Sequence, residues 1–170
     1  MLYQIAVLIH IVAAVIWLGG SLFLAMVMVP LSRRQMAVPA GGARLLGEVG
    51  RRFRPVAWAS IVLMVASGAF VATDHWSITP ADFFSGSGWF IRVLQAKVAI
   101  VGLVIVLSFV HDFVLGPRVT RQLEELTAQG QRPSGTPMAR RVLIWMARAN
   151  VLLILVVVAL AVTLTRGSPF

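Results

Sequence analysis

Of its 170 residues 59% are hydrophobic and only 12% charged, with a mean hydropathy of +0.89, which excludes a water-soluble fold and fits a single all-α membrane domain over residues 1–170. The absence of cysteine removes disulfides and thiolate metal sites together. A formal net charge of +9 would suit nucleic acid as a partner, but the arginines are gathered in two segments between apolar runs, so that partner is excluded too.

The first apolar run covers about residues 2–29 and contains no Lys, Arg, Asp or Glu. No basic residue precedes it and it is longer than a signal-peptide core of ~7–15 residues, so it reads as a retained helix. His10 interrupts it. An ionisable group in a membrane span is costly unless it faces a partner, which orients the helix: Ala13, Ala14, Trp17 and Ser21 share the face of His10 and turn inward. Small residues on that face, Ala14, Gly20, Ser21 and Ala25, allow a neighbouring helix to come close.

Pro30 is expected to close this helix and Pro55 to open the second, at about 55–73. Between them Arg33, Arg34, Arg44, Arg51, Arg52 and Arg54 form a basic loop, with a short basic helix over Ala43–Phe53 expected to lie on an anionic membrane surface. An aromatic belt of Trp76, Phe83, Phe84, Trp89 and Phe90 flanks the next loop, where Ser77–Gly88 reads as a short segment near the interface. The third helix is expected at about 90–115, ended by Gly116 and Pro117, and the fourth at about 142–165. Arg118–Gln129 reads as a short amphipathic helix and Gln131–Pro137 as a connector. The whole is an antiparallel four-helix bundle. Loops 30–54 and 116–141 carry the arginines, so the positive-inside rule puts them in the cytoplasm of a bacterial-type inner membrane, with both termini outside.

Depth decides which polar groups can meet. His10, Trp17, Ser67, His75, Gln95 and Lys97 fall toward the outer side, whereas His111 and Asp112 lie near the inner end of helix three. His10 and His75 are the candidate metal ligands, for copper or for a b-type haem, with Lys97, Gln95 and Trp17 beside them. The plainer alternative leaves His10 hydrogen-bonded to Ser67 or to a carbonyl, and His75 solvated. Lys97, Val104 and His111 repeat every seven residues on one inward face. Adjacent helical residues point about 100° apart, so Asp112 is expected to pair with Arg148 rather than with His111, and Asn150 to bond across helices. Met26, Met28 and Met64 read as core filling. Catalytic triads, phosphate loops and paired carboxylates are lacking, so no enzyme activity is assigned.

The stretch from Arg52 to Lys97, with Arg-Phe-Arg-Pro, Ser67-Gly68, Trp76 and Gly-Trp-Phe-Ile-Arg-Val-Leu-Gln-Ala-Lys, resembles the copper resistance protein D (CopD) domain, preceded by His10, Trp17, Gly19 and Gly20 in a first helix of the same kind. It is more distantly similar to the HemJ-type protoporphyrinogen oxidases, which have a histidine where this chain has Gln95. The first resemblance implies handling or transport of copper at the membrane; the second implies a haem-binding redox protein. His10 and Lys97 are the positions that carry over to both. A third reading is an accessory subunit of a larger membrane complex, or a homo-oligomer, joined through small-residue faces.

Overall fold

The computed structural model describes residues 1–34, 41–119, 121 and 138–166. The described residues are helical with short connections and no strand. Helix α1 (Leu2–Phe23) runs through a wide π turn, Leu24–Met28, into α2 (Val29–Arg34); α3 (Gly41–Phe70) ends in a second wide turn, Val71–His75. A short α4 (Pro80–Ser85) leads to α5 (Trp89–Phe109), a third wide turn (Val110–Leu115) and helical residues 116–119, and α6 (Met138–Arg166) completes the chain. Four stretches are long and apolar enough to cross a membrane: Leu2–Leu31, Leu45–His75, Trp89–Val119 and Arg141–Arg166. Their lipid-facing sides, with Leu8, Val62, Val106 and Leu152 all well exposed, cost nothing in a hydrocarbon solvent.

Prolines do not mark the helix ends as the sequence predicts. Pro55 lies inside α3 rather than at its start, so the basic segment before it continues the second span instead of lying flat. Pro30 is carried within α2 and Pro117 within the helical residues after Leu115. The physical reason is visible at both: each stands two residues after a wide turn. In the first such turn the Val29 N–H reaches the Leu24 carbonyl, and in the third the Gly116 N–H reaches His111. This five-residue bonding loosens the ladder just where a proline ring and its missing N–H must fit. The expected helix Arg118–Gln129 lies largely outside the described residues, as does the connector Gln131–Pro137.

The spans pair one with two and three with four. Tyr3 meets His75, His10 meets Ser67 and Gly20 meets Phe53, so residue numbers rise along one span as they fall along the other. Asn150 Nδ2 donates to Ser108 Oγ at 2.9 Å and ties span four to span three, as expected for Asn150. One layer unites all four spans: Trp17, Ala57 and Ile61, Val104 and Ile154 are buried against each other. Val104 is 1% exposed, which confirms the inward face assigned to the third helix. Ala6, Ala13 and Trp17 form the buried stripe of the first, with His10 part-buried on the same line.

At the end near Tyr3 and His75, α4 is held by a reciprocal cap. Asp82 N–H donates to Thr79 Oγ1 at 3.1 Å, and Thr79 N–H and hydroxyl both donate to Asp82 Oδ2. The hydroxyl, and after it the Thr79 N–H, hold the Asp82 carboxyl below the ordinary range for aspartate. Because the folded value is depressed, the cap is complete above the unfolded value and is lost as pH falls through the folded one. A carbon-detected titration should place the Asp82 midpoint below the ordinary range for aspartate, and Thr79→Val should return it to that range.

Candidate functional site

His10 is positioned by the pairing of the first two spans. Its Nδ1 lies 3.1 Å from Ser67 Oγ, and its ring packs over Gly68, where an added Cβ would stand 3.2 Å from Cε1. Glycine at 68 is therefore what lets the imidazole lie against the neighbouring helix. Ser67 carries one hydroxyl hydrogen, and this is spent on the Leu63 carbonyl at 2.6 Å. The bond to His10 then runs from Nδ1–H to the serine oxygen. Nε2 is left with its lone pair, the tautomer a metal-ligating histidine needs, with its other nitrogen oriented by a hydrogen bond.

Lys97 of α5 lies within electrostatic range of this imidazole and is part-buried. Among the described residues it forms no ion pair with a carboxylate. Gln95 is engaged elsewhere: its Nε2 donates to the Phe83 carbonyl at 2.5 Å, fastening α4 to α5. Trp17 stands in the central core layer rather than at the imidazole. His75 stacks on Tyr3, with ring centroids 3.8 Å apart. Tyr3 and His10 are seven residues apart on one helix, about 10 Å of rise. His10 and His75 thus stand at different levels of the bundle, each with its own partner. Among the described residues no three His, Cys, Asp or Glu side chains converge on a point. Met64 packs against the core cluster, as its reading as filler required.

The opposite end of the bundle overturns one expectation. Asp112 accepts from Trp58 Nε1 at 3.1 Å and lies 2.9 Å from His111 Nδ1, while Arg148 sits over the Trp145 ring at 5.2 Å. The expected Asp112–Arg148 pair does not form. Both Asp112 and His111 lie in the wide turn Val110–Leu115, where successive side chains diverge by less than in an α-helix, so neighbours in sequence can bond. Trp58, overlooked in the sequence, takes the second oxygen. Its indole N–H is a donor that must find a partner once it lies against a buried face, and that was the available signal.

Comparison of the chain with curated proteins and with solved structures found no match in either. The family Copper resistance protein D matches residues 47–164, from the start of the second span almost to the end of the fourth. With that match over most of its length, on a bundle of four membrane-spanning helices, the chain belongs to the copper resistance protein D family.

Proposed function

We propose that this multi-pass membrane protein handles copper as cargo, receiving the ion at His10 Nε2 on the side of the membrane where Tyr3, His75 and α4 lie. The observation that carries the reading is the relay from His10 through Ser67 to the Leu63 carbonyl, which leaves one imidazole nitrogen free and aimed by its partner. A single nitrogen donor in apolar surroundings holds a soft ion weakly, which suits passage better than storage. Lys97 opposes any cation at His10, so occupancy and the lysine proton are linked: copper should bind more tightly as pH rises. The arginine-rich loops are read as cytoplasmic, with both termini on the far side of an inner membrane.

Titration of the purified protein with a copper(I) competitor tests this. The wild type is expected to bind one ion, His10→Ala to lose it, and Ser67→Ala to weaken it by about 10–100-fold, the usual effect of removing a partner that orients a ligand. Lys97→Gln should tighten binding by about tenfold at neutral pH, about 1.4 kcal/mol of relieved repulsion. Equal affinity in the wild type and His10→Ala would remove the site, and copper accumulation in cells that does not respond to the protein would remove the role.

A further inference from the structure

A second polar region stands at the arginine-bearing end, away from His10. A cavity of about 700 Å³ opens between all four spans, within the ~300–1,000 Å³ typical of small-ligand sites. Its floor is the central layer, with Trp17, Ile61 and Ile154, and its mouth carries Arg51, Arg54 and Arg121. Arg51 is tied to Glu48. Arg54 is not: its guanidinium lies 5.3 Å from the Phe113 ring centroid, and its Nε is buried without a hydrogen-bond partner. Asn150 Oδ1, on another wall of the same space, is likewise buried without one. Among the described residues that line it the carboxylate is Asp112, and this is occupied by Trp58 and His111.

A buried charged donor with nothing to donate to is costly, as is a buried amide oxygen with nothing to accept from, and one of each beside a single cavity marks groups built to meet an occupant. Among the described residues the charges at the mouth select its sign, Arg54 and Arg121 beside an Arg51 already paired with Glu48 and an engaged Asp112, and the apolar floor selects its body. We propose that the cavity binds an acidic amphiphile, with a carboxylate or phosphate head beside Arg54 and Arg121 and an apolar tail on the floor formed by Trp17, Ile61 and Ile154. A water or a head-group hydroxyl serves Asn150 Oδ1. Two sources offer this chemistry: an anionic phospholipid of the bilayer and a free fatty acid.

Trp17 and Trp58 both line the cavity, so the protein can report its own occupant. A chain with Trp76, Trp89 and Trp145 changed to Phe is reconstituted in phosphatidylcholine vesicles. Brominated phosphatidylglycerol, brominated phosphatidylcholine or bromostearic acid is then added at equal mole fraction. An acidic probe is expected to quench the two tryptophans several-fold more than the neutral one, and which acidic probe does so identifies the source. Arg54→Gln should abolish the excess. So should Gly50→Leu, which intrudes on the cavity at a position where an added Cβ meets no atom within 4 Å, so the helix tolerates it. Arg148→Gln, outside the cavity, should leave the excess in place and thereby separate a specific site from attraction to basic side chains in general. Equal quenching by all three probes, or an excess that survives both Arg54→Gln and Gly50→Leu, overturns the proposal.

Discussion

Replacing Trp17 by alanine is expected to destabilise the bundle by about 3–5 kcal/mol, the cost of emptying a large core position. Trp17 is 8% exposed and belongs to a layer to which every span contributes, so its loss opens a void shared by all four. In lipid this cost is not hydrophobic transfer, since acyl chains are as apolar as the core. It is lost dispersion contact, which neighbours cannot restore without moving whole helices. Unfolding in a graded denaturing detergent, followed by helix content, measures it. Leu152→Ala, at a position 63% exposed, is the control and should stay within about 0.5 kcal/mol of the wild type. A similar loss in both variants would mean that the layer does not hold the bundle together.

Gly20→Leu is the second substitution with a large expected effect. A Cβ at this position would overlap the ring of Phe53, whereas one at the adjacent Gly19 meets nothing within 4 Å. Phe53 is itself packed against the core cluster and cannot swing aside freely. Overpacking of this kind costs about 1–3 kcal/mol, and it should act on the pairing of spans one and two in particular. Gly19→Leu should be near neutral. Phe53→Ala in the Gly20→Leu background should recover most of the loss, so that the two changes are strongly non-additive in a double-mutant cycle. Additive losses would place the clash elsewhere.

The four spans were legible because nothing but lipid accommodates such runs of apolar residues, and Lys97, Val104 and His111 at seven-residue spacing showed which face of the third turned inward. The bond between His10 and Ser67 was legible in part, since an intramembrane histidine has few partners to choose from. Helix limits were not. Pro30, Pro55 and Pro117 are ordinary stop or start signals in water, but in a membrane the backbone stays helical around them because it has no solvent to turn to. The partner of Asp112 was also hidden, because it depended on a wide turn that sequence periodicity does not reveal. The cavity was hidden for a related reason. Arg54 read as one more basic loop residue, and only its inclusion in a continuous α3 brings its guanidinium under the bundle.

The wide turns also bear on how this chain can change length. Leu24–Met28, Val71–His75 and Val110–Leu115 each fall in the last third of a span and hold one more residue per turn than the coil around them. A residue gained or dropped at these seams is absorbed locally. The same insertion or deletion near the start of a span would spin every later side chain by about 100° and turn His10, Trp17 or Lys97 out toward the acyl chains.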